Sequence, residues 1–162
     1  MANFETLAVS VDDTIGRIQL NRPAQLNPLS TTCLRELVAA ADWFDTRDEV
    51  RVVIVHGAGR AFSAGADLNW MKRAATHTKE DNVRDAVNLA EMLQSLYEMP
   101  QMTLAMVQGA AMGGGAGLVA ACDMAVAMSN TKFRFSEVRL GLTPATISPY
   151  VIDAIGPRWA RA

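Results

Sequence analysis

Three consecutive glycines, Gly113–Gly115, lie in an apolar run of small residues, GAAMGGGAGLVAACD at 109–123. A second glycine-rich segment, GAGRAFSAGADLN, spans 57–69. Backbone N–H groups from two such segments can converge on one oxygen and stabilise the negative charge that it gains in a transition state. Glycine permits this close approach because it has no Cβ. For either segment alone, glycines that merely let a helix pack closely on a strand are the alternative explanation.

Neither glycine-rich segment fits a nucleotide-binding pattern. GAGRAF departs from G-x-G-x-x-G at Phe62, the run at 113–117 has no correctly placed third glycine, and GK followed by Ser or Thr does not occur. Both segments directly follow predicted buried strands, where α/β folds usually expose backbone N–H groups to a ligand. The sequence therefore predicts a ligand site here, but not one for a dinucleotide or ATP.

The strands that position these segments are indicated by their apolar patterns. Two alternating runs within 4–21, joined by Asp12-Asp13, predict a β-hairpin. Unbroken apolar runs predict buried strands at 50–57 and 102–109, and a third strand is expected at 123–129.

The helices are indicated by helical spacing and by capping residues. Ser30 is expected to cap one helix, and Thr78 with Asp81 a longer one that Pro100 terminates. The glycine run is expected to open a third helix directly after the strand at 102–109. Because strands and helices alternate, the sequence predicts an α/β fold with parallel strands and helical crossovers.

Composition excludes several classes of function. The chain has 162 residues, half of them apolar, and a net charge of −2, with lysines and arginines that are scattered. It has no basic surface for nucleic acid. The cysteines, Cys33 and Cys122, lie far apart, so we expect neither a metal site nor a disulfide framework. The absence of a basic, then apolar leader and of a membrane span predicts a cytoplasmic protein.

Four segments carry a resemblance to a known family: NRPAQLNPLS at 21–30, AFSAGADL at 61–68, GAAMGGGAGLVAACD at 109–123 and FSEVRLGLTP at 135–144. Together they resemble the enoyl-CoA hydratase/isomerase (crotonase) superfamily. The resemblance implies an α/β spiral of ββα units that binds a CoA thioester across the two glycine-rich loops and holds its carbonyl oxygen in an oxyanion hole. It implies no separate cofactor, because CoA arrives with the substrate, and an oligomer that is a trimer or a dimer of trimers.

The resemblance also assigns residues by position. It implies that the oxyanion donors are the N–H groups of Ala66 and Gly114 and that Glu137 is the acid/base. The residues that it places in contact with the substrate or its CoA portion are Gln25, Leu26, Ala64, Gly65, Asp67, Leu68, Gly113 and Gly117.

One position departs from the usual pattern of hydratases in this family, which activate water with two glutamates. Glu137 matches one of them, and Gly117 stands where the other would be. A single carboxylate can serve hydration if one water supplies both the hydroxyl and the proton that are added to the double bond. It can equally move a proton between the α and γ carbons, as an isomerase does. A catalytically silent acyl-CoA-binding or assembly fragment is a third reading.

The segment PATISP at 144–149 resembles the subgroup that hydrates branched, carboxylated thioesters, namely 3-methylglutaconyl-CoA or isohexenylglutaconyl-CoA. A carboxylate on the substrate needs a cationic or hydrogen-bonding partner. The candidates are Arg134, Arg139, Thr146 and Ser148; solvated charges or helix caps explain these residues equally well.

Trp70 is expected either to cover the ligand or to pack in the core. Family members continue into a helical region that builds their oligomers; we expect the chain to be the single-domain N-terminal spiral core, 1–162, without that region.

Overall fold

The structure is a computed structural model that describes residues 4–74, 76–135, 137 and 141–161. Its strands are β1 (Leu7–Asp12), β2 (Ile15–Leu20), β3 (Val52–Gly57), β4 (Met102–Val107), β5 (Ala110–Met112), β6 (Met124–Ala127) and β7 (Lys132–Arg134). Its helices are α1 (Thr31–Asp45), α2 (Leu68–Ala74), α3 (Lys79–Tyr97), α4 (Gly114–Ala120) and α5 (Ser148–Ala160), and a short 3-10 helix spans Pro23–Gln25.

Two sheets form this part of the chain. The larger sheet has the order β1-β2-β3-β4-β6, in which only the β1–β2 hairpin is antiparallel. The smaller sheet pairs β5 with β7 in parallel. The predicted hairpin and the three predicted strands that follow it are confirmed, and helices connect parallel neighbours as expected.

The predicted helix caps are confirmed. Ser30 Oγ accepts a hydrogen bond from the N–H of Cys33 at 3.2 Å, and Thr78 and Asp81 form a reciprocal capping box at the start of α3. Helices α1 and α3 pack together and bury their apolar faces against the large sheet. Fully buried side chains in this core include Ile18, Leu37, Phe44, Val53, Val55, Phe62, Leu93 and Leu96.

The segment before the glycine run differs from expectation. The helix α4 does not follow β4 directly, because β5 intervenes and pairs with β7. The sequence analysis also did not predict α2, which begins directly after the first glycine-rich segment. Among the described residues, no helix combines the length and the apolar character needed to cross a bilayer.

Candidate active site

The first glycine-rich segment is held against the loop that precedes α1. Leu29 donates its N–H to Gly65 O at 2.8 Å, and Asp67 donates its N–H to Leu29 O at 3.0 Å. These two bonds flank Ala66, which pairs with Leu29 in an isolated parallel bridge. Within the described residues, the N–H of Ala66 donates to no backbone or side-chain acceptor. The loop therefore presents one unused donor at a fixed place.

The second glycine-rich segment is joined to the first. Ser63 donates its N–H to Ala110 O at 3.0 Å and accepts from the N–H of Met112 at 3.0 Å. Packing reinforces this pairing, because a Cβ on Gly115 would meet the Cβ of Ser63 at 2.7 Å. The glycine at 115 is thus explained by close packing, which was the alternative explanation from the sequence. The two segments form one hydrogen-bonded, closely packed unit.

Helix α4 begins where this unit meets β7. Gly113 precedes the helix with φ +48° and donates its N–H to Arg134 O at 2.8 Å. Gly114 is the first helical residue, so its N–H has no acceptor within the helix. No acceptor for this N–H lies elsewhere in the part of the chain that the structure describes. Gly114 is therefore a second unused donor.

A cavity of about 190 Å³ brings three of the predicted site residues together. Ala66, Gly114 and Glu137 all line it. Its other lining residues are Leu29, Leu34, Trp70, Leu89, Leu142, Thr143, Pro144, Thr146 and Ile147. Two backbone donors and one carboxylate thus lie in a mostly apolar surface, an environment in which hydrogen bonds to a developing charge are strong.

Glu137 enters the cavity partly buried. Its Oε2 atom is inaccessible and accepts no hydrogen bond from any of the described residues. Its Oε1 atom lies beside Gly113, where a Cβ would approach to 2.8 Å. A carboxylate that is shielded from water and has an unused oxygen is suited to accept and return a proton from a bound reactant.

The comparisons with known proteins identify the family of the chain. The family model for enoyl-CoA hydratase/isomerase matches residues 10–162. The chain belongs to the enoyl-CoA hydratase/isomerase family. It is 37% identical over 142 residues to an enoyl-CoA hydratase candidate from Thermus thermophilus, a match that covers 88% of this chain and 56% of that protein.

Solved structures of the family show the same fold. An enoyl-CoA hydratase/isomerase (crotonase) candidate from Legionella pneumophila is 45% identical with a TM-score of 0.93, and the match covers 96% of this chain and 60% of that one. An enoyl-CoA hydratase from Shewanella pealeana is 37% identical with a TM-score of 0.95, and the match covers 98% and 60%. The predicted crotonase-like α/β fold is confirmed. The chain spans somewhat more than half the length of these relatives.

None of the residues that the sequence analysis assigned to contact with the substrate or its CoA portion lines the cavity. Gln25, Ala64 and Leu68 are exposed, and Leu26 is half-buried, with its carbonyl accepting from the N–H of Ala64 at 2.8 Å. Gly65 is buried and has φ +88°, which explains the glycine there. Binding of CoA by these residues stays a prediction.

Asp67, also assigned to CoA contact, is engaged with protein groups instead. Its Oδ2 atom lies 3.1 Å from Nη1 of Arg22, and its Oδ1 atom accepts from the N–H groups of Asn69 at 2.9 Å and Trp70 at 3.3 Å. Burial raises the pKa of Asp67, but these hydrogen bonds and the Arg22 charge outweigh it and hold the pKa below its ordinary value. Asp67 therefore fastens the Ala66 loop to the Arg22 loop as an ionised carboxylate.

Trp70 lies at the cavity and is hydrogen-bonded through its indole nitrogen. Trp70 lines the cavity while its Nε1 donates to Asp85 Oδ2 at 2.9 Å, and the same oxygen lies 3.3 Å from Nδ1 of His77. The sequence analysis missed Arg22 and Asp85, because both act through contacts between distant segments. The indole is thus anchored by its polar edge and offers its apolar surface to the site.

The candidates for binding a substrate carboxylate are distributed unequally. Thr146 lines the cavity, and Thr143, which the sequence analysis missed, joins it there. Arg134 is exposed, the Oγ of Ser148 donates to Ala145 O, and Arg139 lies outside the described residues. Among the described residues, no group of three His, Cys, Asp or Glu side chains is arranged to hold a metal ion.

Proposed function

We propose that this chain adds water reversibly to an α,β-unsaturated acyl-CoA. The observation that carries this proposal is that one cavity is lined by Ala66 and Gly114, whose N–H groups donate to no described acceptor, and by Glu137, whose Oε2 accepts no hydrogen bond from a described residue. An enoyl thioester fits this set because its carbonyl oxygen gains negative charge when a nucleophile adds at the β carbon.

In this mechanism one carboxylate both takes the proton from water and returns it to the acyl group. The thioester oxygen accepts hydrogen bonds from Ala66 and Gly114. Glu137 takes a proton from water as the oxygen of that water bonds to the β carbon and the double-bond electrons move to the thioester as an enolate. Glu137 then returns the proton to the α carbon, which restores the thioester carbonyl and the ionised carboxylate.

We further propose a branched, carboxylated acyl group such as that of 3-methylglutaconyl-CoA or isohexenylglutaconyl-CoA. The segment at 144–149 and the glycine at 117 support this substrate class through the subgroup that they resemble. The hydroxyls of Thr143 and Thr146 are the polar side chains of the described lining that can donate to such a carboxylate. The family resemblance supports, as a further part of the proposal, assembly of the full-length family form as a trimer or a dimer of trimers.

A second candidate is a Δ3,Δ2-enoyl-CoA isomerase. It is favoured by Gly117, because an isomerase only moves a proton between the α and γ carbons, and this transfer requires one base rather than two. The same oxyanion donors would stabilise the dienolate. Hydration and isomerisation therefore differ in the substrate that is accepted rather than in the catalytic residues.

The test is turnover of 3-methylglutaconyl-CoA, crotonyl-CoA and a 3-enoyl-CoA by the purified chain, with E137Q beside it. The proposal expects the parent to hydrate the carboxylated substrate. E137Q should lose this activity and still bind acyl-CoA. Turnover of the 3-enoyl substrate alone would favour the isomerase. Binding without any turnover would replace both with a silent acyl-CoA-binding role.

A further inference from the structure

Pro144 and Ile147 lie between two cavities. On one side is the cavity that contains Ala66, Gly114 and Glu137. On the other is a cavity of about 260 Å³, which Pro144 and Ile147 also line. Its other walls are mostly apolar and include Phe135, Val151, Ile152, Ile155 and Trp159, with Ser148 as a polar member. We call this second cavity the α5 groove, because most of its lining comes from helix α5.

Ile147 is held in this position by Gly117. The side chain of Ile147 is only 3% exposed. A Cβ on Gly117 would stand 2.5 Å from Cγ2 and 2.9 Å from Cβ of Ile147, so the isoleucine rests directly on the glycine backbone. Any larger residue at 117 would displace it. Gly117, which stands where hydratases of the family have their other glutamate, is therefore the residue that lets the apolar side chain of Ile147 lie against the cavity.

We propose, on the basis of the proposed acyl-CoA function, that Ile147 limits the length of the acyl group, which within the proposed substrate class favours 3-methylglutaconyl-CoA over the longer isohexenylglutaconyl-CoA. A short acyl chain ends against Ile147 within the active-site cavity. A longer apolar chain would have to pass where the Ile147 side chain stands before it reached the α5 groove. The groove is chemically suited to such a chain, since Val151, Ile152 and Ile155 offer it aliphatic walls. Ile147 is thus a specificity-determining residue.

The test compares two substrates in one enzyme preparation. The ratio of kcat/KM for trans-2-octenoyl-CoA to that for crotonyl-CoA is measured for the parent, I147V and I147A. This ratio does not depend on how much of a variant is folded. We expect I147A to raise the ratio by roughly 10-fold or more, because each methylene that a pocket accepts or rejects is worth about 10-fold or more in discrimination. I147V removes less of the side chain and should give a smaller rise.

Leu142 supplies the matched control. L142A removes as many carbon atoms as I147A, and Leu142 lines the active-site cavity but not the α5 groove. A rise in the ratio that is equal in L142A and I147A would overturn the proposal, because general widening would then explain it. An unchanged ratio in I147A would overturn it as well.

Binding separates failure of this inference from failure of the proposed function. Calorimetry with butanoyl-CoA and octanoyl-CoA requires no turnover. If the parent binds neither, the acyl-CoA function itself fails and the inference fails with it. If the parent binds them and I147A shows the same preference between the two lengths, only the inference fails. A preference that moves toward octanoyl-CoA in I147A, and already partly in I147V, supports it.

Discussion

The carboxylate of Glu137 lies directly against the backbone of Gly113. A Cβ on Gly113 would stand 2.8 Å from Glu137 Oε1, and the φ of +48° at Gly113 is one that residues with a side chain rarely adopt. The N–H of Gly113 is also bound to Arg134 O at 2.8 Å, so the glycine cannot easily move away. The glycine run thus packs against the carboxylate and also carries the proposed donor Gly114.

The substitution G113A is expected to reduce kcat by roughly 100-fold, because a displacement of about 1 Å at a catalytic group costs that much. The KM for the acyl-CoA should change less, since the other proposed CoA contacts lie elsewhere. Steady-state kinetics of the substrate that the parent turns over would measure both. Gly156 provides the control, because it has φ +79° and an added Cβ would meet nothing within 4 Å. Equal losses of kcat in G113A and G156A would contradict the explanation.

The ion pair between Asp67 and Arg22 is expected to stabilise the fold at neutral pH. The pKa of Asp67 is held below its ordinary value of 3.8, so its contribution is complete above that pH and is lost as the pH falls through the folded-state pKa. D67N should lower the free energy of unfolding by about 1 to 3 kcal/mol at pH 7, the range for a hydrogen bond to a charged group. Urea unfolding of parent and D67N at pH 7 and below pH 3.8 would measure this. A difference that grew on acidification would refute it.

Both thiols are expected to be unreactive in the folded protein. Burial raises the pKa of Cys33 to about 11 and that of Cys122 to about 12, so neither is appreciably ionised at pH 8. Ellman's reagent should react with both after unfolding in urea and with neither on the same timescale in buffer. Rapid reaction of one thiol per native chain would contradict this, because it would show that the thiol is less buried than the structure places it.

The contact between Gly117 and Ile147 is expected to reverse the usual preference for alanine in a helix. Alanine normally stabilises a helix by about 1 kcal/mol relative to glycine. G117A should nevertheless destabilise the protein, because overpacking of a tight contact costs about 1 to 3 kcal/mol. In the I147A background the same change should cost less, since Cγ2 of residue 147 is then gone. Urea unfolding of the four variants gives the coupling energy, and strict additivity would argue against this contact.

Much of the fold could be predicted because its signals are local. The hairpin, the strands β3 and β4, and the caps at Ser30 and Thr78 each depend on periodicity or on residues a few positions apart. Strands β5 and β7 could not be predicted in this way, because three residues are too few for a period and each needs the other as its partner.

The site shows the same division. Ala66, Gly114 and Glu137 were assigned by resemblance to a family, and the structure brings them to one cavity, although their roles stay predictions. Arg22 and Thr143 were missed because nothing in their neighbouring sequence reports where distant loops meet. Asp123, which ends the glycine-rich run, caps the start of β4 by accepting from the N–H and the hydroxyl of Thr103 at 2.7 and 2.8 Å.

The bridges that pair Leu29 with Ala66 and Ser63 with Ala111 join segments that lie far apart in the chain. The loops that carry the proposed donors Ala66 and Gly114 are therefore joined only after the entropy cost of closing long loops has been met. We accordingly expect the proposed turnover, when the unfolded chain is refolded, to return with native tertiary structure rather than with the helices.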